Sequence, residues 1–260
     1  MQIHPTRYIS FKKGQIAIQG AEINKKIILF IGRSSTQKHS APLEKLFSDL
    51  QIQGYTLVWY KSYFEATSEL LDLKARSYLN LIPKMKEKSN GSTSSICRKL
   101  LKALILFAYP SRWENFSCIG QKGSIYMTAK KYRALLKHLG VDKEISILAH
   151  SAGGRVASML VAEKNIKNLI CFGYPFKHPE YGEDLRRTRG LEHQQKPFLI
   201  IQGRQDEYGG EDVINRYKLA KSITIQFIDA THEYDLIAEK SWEDVTRVIE
   251  NFLQPLTRYS

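Results

Sequence analysis

Cysteine is scarce: Cys97, Cys118 and Cys171 are the three in a chain of 260 residues, and neither their odd number nor their spacing suits a disulfide framework or a metal-ligand set. This usage argues for a reducing compartment, so cytoplasmic residence is the expectation. Long apolar runs are also missing. The richest, Leu100 to Tyr109, is interrupted by Lys102 and falls well short of the roughly 20 apolar residues that cross a bilayer. Met1 to Gly20 holds Lys12 and Lys13 but no apolar core followed by a cleavage pattern, so a secretory leader is not expected. Internal repeats and long low-complexity segments are absent. Acidic residues are in the minority, 26 against 39 Lys plus Arg, and the net charge of +13 draws the surface towards phosphates, anionic membranes or acidic proteins. No dense basic block is interleaved with aromatics, which argues against a nucleic-acid site and leaves an anionic membrane surface as a permitted partner.

What is present is enough apolar material, 43% of residues, for one packed domain spanning 1–260. Its central stretch is Ile145 to Arg155, a short apolar run that stops at Ser151 among Ala149, Ala152, Gly153 and Gly154 and then turns helical. It reads as a strand, a sharp turn and a helix. Small neighbours leave room for a strained turn that exposes its central side chain, the arrangement of a nucleophile elbow with Ser151 at its tip. Ala149 stands where that pattern usually has glycine.

Upstream, Gln15 to Gln19 alternates like a short strand and Lys26 to Ile31 is a stronger apolar one ending at Gly32. Arg33 to Ser40 is a polar loop whose first N–H groups are well placed to bind an oxyanion. Pro42 then opens a helix with Leu43, Leu46, Phe47 and Leu50 on one face, and Tyr55 to Tyr60 is a β-branched and aromatic strand. From Lys61 to Gly123 the alternation of strands and helices lapses. Helical patterns run from Glu65 to Ile82, stopped by Pro83, and from Ile96 to Tyr109, stopped by Pro110. We therefore read 65–120 as a helical insertion on the sheet's edge or over its top, where it would act as a lid. Its aromatics Tyr109, Trp113 and Phe116 either line an acyl pocket or anchor the insertion. A helix over Ile125 to Leu139 leads into the elbow strand.

Beyond the elbow the regular order resumes: helix Arg155 to Glu163, strand Leu169 to Tyr174, strand Phe198 to Gln202, helix Glu211 to Ala220, strand Ile223 to Ile228, and a last helix with Ser241 as N-cap. Strands alternating with helices specify an α/β fold, a mostly parallel sheet with helices on both faces. Sites in such sheets collect at the carboxyl ends of the strands. There Phe198 to Gln202 runs into Gly203-Arg204-Gln205-Asp206-Glu207, and Ile223 to Ile228 runs into Asp229-Ala230-Thr231-His232. Serine chemistry asks for an imidazole to take the hydroxyl proton and a carboxylate to hold that imidazole. Ser151, Asp206 and His232 stand in the chain order expected for such a triad on this sheet. Asp206 is preferred to Glu207, and His232 to His150 or His178.

The motifs Ser151-Ala152-Gly153-Gly154-Arg155, Gly173-Tyr174-Pro175-Phe176 with Pro179, Leu185-Arg186 and Gln202 to Gly209 resemble the α/β-hydrolase superfamily. The likeness is to its dienelactone-hydrolase-like branch, which includes relatives of the testis-expressed hydrolase-like protein, and it extends roughly over Lys26 to Phe252. It departs from the family at Phe30-Ile31-Gly32, at Ala149 and in the length of the insertion. The resemblance implies an α/β-hydrolase fold with Ser151 as nucleophile, Asp206 as acid and His232 as base. The expected activity is that of a serine esterase or acyl hydrolase on a small-molecule ester, with an oxyanion hole from the N–H of Ala152 and an N–H of the Gly32, Arg33, Ser34 loop. Such chemistry needs neither metal nor organic cofactor. Two other readings compete: a hydrolase-fold interaction protein without turnover, and a basic-surface binder of anionic partners.

Overall fold

The computed structural model describes residues 6–12, 14–20, 24–32, 41–80, 92–113, 125–234 and 237–254. Among the described residues ten strands form, β1 Arg7–Ser10, β2 Gly14–Gln19, β3 Lys26–Ile31, β4 Thr56–Ser62, β5 Glu144–His150, β6 Ile166–Phe172, β7 Lys177–His178, β8 Gly182–Glu183, β9 Phe198–Gly203 and β10 Ile223–Ile228. The helices are α1 Ala41–Ile52, α2 Tyr63–Asn80, α3 Ser92–Phe107, α4 Ile125–Leu139, α5 Ala152–Ser158, α6 Leu185–Thr188, α7 Val213–Arg216 and α8 Glu239–Leu253. One eight-stranded sheet has the order β1-β2-β4-β3-β5-β6-β9-β10, and β7 and β8 make a separate antiparallel hairpin. Every pairing from β4 across to β10 is parallel. The fold class is therefore the α/β one expected. Among the described residues no helix is long and apolar enough to cross a membrane.

The chain forms two compact units, one made of 1–7, 17–59 and 125–260, the other of 8–16 and 60–124. In the first, strand alternation divides the core between the two faces of the sheet. Ile28, Leu57, Leu148, Ile170, Leu199 and Ile201 pack on one face against Leu46, Phe47 and Leu50 of α1 and Trp242, Val245, Ile249 and Leu253 of α8. The intervening residues Ile27, Leu29, Ile147, Leu169 and Ile200 are equally buried and point to the other face, where α4 and α5 lie together. The helix after β3 and the helix after β5 thus leave on opposite faces. That divergence opens a crevice at the carboxyl ends of β3 and β5, the usual place for a site in such a sheet.

In the second unit Leu71 and Ala75 of α2 pack on Ile105 and Leu106 of α3, with Leu101 and Tyr109 partly buried against them. Lys102, the residue that breaks the apolar run, reaches Asp72 across the pair at 2.5 Å. Trp113 lies 5.3 Å from Phe107, ring to ring, and donates its indole N–H to Leu106 O at 3.1 Å. Of the three aromatics singled out from sequence, Tyr109 and Trp113 are thus held by this unit's own helices, and Phe116 lies outside the described residues.

Several expected boundaries are corrected. Ser158 Oγ donates to Arg155 O at 3.0 Å, and Met159 and Leu160 close on Val156 O and Ala157 O, so α5 tightens and stops at Ser158 instead of reaching Glu163. The helix expected from Glu211 to Ala220 is the single turn α7, because Tyr217 is extended and Ala220 N turns away to Leu191 O. Ser241 is not the N-cap of α8. Ala238 is, with its carbonyl already accepting from Trp242 N at 3.1 Å.

Candidate active site

Ser151 follows the last residue of β5 and precedes the first of α5, with φ 52 and ψ −123. A serine in that region stores on the order of 1–3 kcal/mol of strain. Its surroundings hold it there: Ser151 N donates to Phe172 O of β6 at 2.9 Å, and Gly154 N donates to Ser151 O at 2.9 Å. Gly153 explains the small-residue pattern, since a Cβ at that position would stand 2.0 Å from Ile31 O at the end of β3. Gly153→Ala should therefore destabilise the protein by about 3 kcal/mol, the upper end for forced overpacking, read as a fall in Tm. Ala149, in the place of the usual glycine, is fully buried between Ile31 and Cys171 of the neighbouring strands, so its methyl group is accommodated within the sheet.

The loops after β9 and β10 are laced together. Arg204 N and Gln205 N donate to Ile228 O and Ala230 O, and Gly203 is glycine because a Cβ would meet Ala230 O at 2.3 Å. This close approach sets Asp206 and His232 side by side. His232 Nδ1 lies 2.9 and 3.0 Å from the two carboxylate oxygens of Asp206, and His232 Nε2 lies 2.8 Å from Ser151 Oγ. Exposure is 9% for Ser151, 4% for Asp206 and 1% for His232, so the line of contacts is shielded from water except at the serine end.

The proton positions follow from donors and acceptors. Asp206 also receives Gln202 Nε2–H at 2.8 Å on Oδ2 and Tyr208 N–H at 2.8 Å on Oδ1. Surrounded by donors, it acts as an ionised acceptor, so the imidazole proton sits on Nδ1 and Nε2 is free to accept the Ser151 hydroxyl. Gln202, fully buried, is itself fixed by accepting Tyr174 N at 3.0 Å and donating to Gly209 O at 2.6 Å. The Tyr208 ring covers the imidazole, with centroids 4.2 Å apart. Tyr234, whose hydroxyl donates to Ile201 O at 2.7 Å, anchors the histidine loop. Burial, and then the charge of Asp206, keep the Tyr234 phenol neutral by raising its pKa.

Other candidates fall elsewhere. His150 donates Nε2–H to the carbonyl of His232 at 3.3 Å and so touches the backbone of the base, not the serine hydroxyl. His178 accepts the N–H groups of Glu180 and Tyr181 in the hairpin. Glu207 is exposed. Cys171 is buried behind the elbow, and burial followed by the charge of Asp206 pushes its thiol pKa far up, which makes it inert. Gly32 follows Ile31, the register partner of Ala149, and thus borders the elbow, whereas Arg33 and Ser34 lie outside the described residues. Among the described residues no group of three or more His, Cys, Asp or Glu side chains could hold a metal ion.

Gln202 and Tyr208 were not nominated from sequence. The signal for the first is a polar side chain closing the wholly apolar run Phe198 to Ile201. Tyr208 gives none, because its contact to His232 is made across two loops.

Many solved structures share this architecture, among them the following three. An α/β serine hydrolase without a lid from Xanthomonas campestris aligns over 97% of this chain and 94% of its own, with 13% identity and a TM-score of 0.54. An esterase from Pyrococcus furiosus aligns over 96% and 92%, with 12% identity and a TM-score of 0.58. For a dienelactone hydrolase from Anabaena variabilis the coverage is 96% and 97%, the identity 15% and the TM-score 0.52. At such identities the likeness is one of fold. Family membership rests on sequence: residues 122–257, more than half of the chain and all three members of the hydrogen-bonded line, match the family described as alpha/beta hydrolase domain. The chain belongs to the α/β-hydrolase family.

Proposed function

We propose that the protein is a serine hydrolase that cleaves a small-molecule carboxylic ester through an acyl-enzyme on Ser151. The observation that carries this reading is the continuous contact of Ser151 Oγ, His232 and Asp206 at 2.8 and 2.9 Å. His232 Nε2 takes the hydroxyl proton as Oγ attacks the ester carbonyl, and Asp206 stabilises the imidazolium that results. The oxyanion is received by Ala152 N–H, at the start of α5, and by an N–H of the Gly32 to Ser34 loop. Collapse of this intermediate breaks the bond to the alcohol, which leaves with the proton from His232. Water, activated by the same imidazole, then releases the acid and restores Ser151. The chemistry uses no metal and no organic cofactor.

The same reading takes 1–260 as one α/β-hydrolase domain that carries 65–120 as a helical insertion and works in the cytoplasm. It is tested by rapid mixing with p-nitrophenyl acetate. A burst of p-nitrophenol equal to the enzyme concentration, followed by slower steady turnover, is the expected result. Release that is strictly linear and no faster than in buffer contradicts it.

A further inference from the structure

The motif residues His178 and Leu185-Arg186 take no part in the line from Ser151 to Asp206, yet they wall a pocket beside it. This surface pocket, of about 610 Å³, is lined by His178, Tyr181, Asp184, Arg186 and Arg187 among others, from the β7–β8 hairpin and α6. His178 Nδ1 accepts the N–H groups of Glu180 at 3.1 Å and Tyr181 at 3.3 Å, which places its proton on Nε2. That N–H has no acceptor among the described residues.

Positive charge around the pocket exceeds its compensation. Asp184 is occupied by Arg186, through Nε at 2.9 Å and the backbone N–H at 3.0 Å, and Glu183 is occupied by Arg216 at 3.0 Å. Arg187 and Arg155 have no carboxylate partner among the described residues. Their contacts are long hydrogen bonds to backbone, Arg187 Nη1 to Pro175 O and Arg155 Nη2 to Arg186 O, each at 3.4 Å. Arg187 Nε is buried with no acceptor among the described residues. Burial, and then the charge of Arg187, lower the pKa of Arg155, and the opposing charge of Asp184 does not reverse that direction. Half-buried arginines of this kind are costly unless an anion completes them.

We propose that this pocket binds an oxyanion group, a carboxylate or a phosphate, held by Arg186, Arg187 and the Nε2–H of His178, with Arg155 adding charge from behind. Arg guanidinium forks suit both anions, and a neutral imidazole N–H supplies a further donor. The site neighbours the reacting centre: the His178 ring lies 6.0 Å from that of Tyr208, which lies 4.2 Å from that of His232. The anion is then either an acid group carried by the substrate or a free small molecule. The assignment stands on the arginines and does not require the esterase reading.

The test combines anion binding with ester choice. Inorganic phosphate and glutarate should each raise Tm more than sodium chloride at matched ionic strength. Apparent affinity should fall roughly tenfold in Arg187→Gln and in Arg186→Gln, the loss expected for a hydrogen bond to a charged group, with part retained in Arg187→Lys. Arg186 is exposed, so its variant keeps the test valid if Arg187→Gln fails to fold. If the anion belongs to the substrate, kcat/KM for p-nitrophenyl hemiglutarate exceeds that for neutral p-nitrophenyl pentanoate in the wild type, and the preference shrinks in Arg186→Gln. Stabilisation by anions without an ester preference identifies a free ligand. Absence of both effects, or effects undiminished in the variants, overturns the site. Should neither ester be turned over by the wild type, the esterase reading fails while the Tm arm still decides this one.

Discussion

Replacing Ser151 by alanine is expected to lower kcat for an activated short-chain ester roughly a million-fold, the order seen when a serine nucleophile is removed elsewhere. The hydroxyl contacts His232 Nε2 at 2.8 Å, and no other side chain bonds to it among the described residues. Folding should survive. The turn is fixed by main-chain bonds to Phe172 and Gly154, which alanine keeps, and φ at 52 is as strained for alanine as for serine. The measurement is kcat beside Tm for both proteins. Undiminished turnover would remove Ser151 from the chemistry, and a large fall in Tm would show that the hydroxyl is structural.

The second large effect separates two adjacent carboxylates. Asp206→Asn should lower kcat by roughly four orders of magnitude, as the same change does in a serine protease, whereas Glu207→Gln should leave it within a few-fold. Asp206 is buried and faces three donors, His232 Nδ1, Gln202 Nε2 and Tyr208 N. An asparagine must turn its NH₂ towards one of them. If it faces the imidazole, it selects the wrong tautomer; if it faces Gln202 or Tyr208, it sets donor against donor in a buried place. Glu207 is exposed and enters none of these contacts. Kinetics of the two variants under identical conditions decide it, and the reverse ranking would move the acid by one residue.

How much of this was legible in the sequence depends on the range of the interactions. The elbow is local: a strand, a strained serine and a helix announce themselves through Ala149 to Gly154, and Gly153 has its reason in one contact to Ile31 O. Asp206 and His232 were legible because each follows an apolar strand, and parallel strands deliver their ends to one rim. The β7–β8 hairpin was not, since two-residue strands carry no periodicity. The early stop of α5 is not legible because it depends on Ser158 bonding backward to Arg155 O, a choice the helical pattern does not reveal. Contacts between loops, such as Tyr208 over His232, leave no trace in spacing at all. The arginine pocket lies between these cases. Arg155 and Arg186 belong to legible motifs, but their approach depends on the fold of 174–189.

The central claim is that Ser151 is a nucleophile activated by His232. Its most direct test is labelling with a fluorophosphonate, followed by mass spectrometry of the peptide that contains the modified residue. The account predicts one adduct per chain, on Ser151, formed rapidly by the wild type and slowed at least a hundredfold in His232→Ala, since a serine without its base reacts poorly. An unlabelled wild-type protein, or a Ser151 adduct that forms equally fast in the His232 variant, would contradict it.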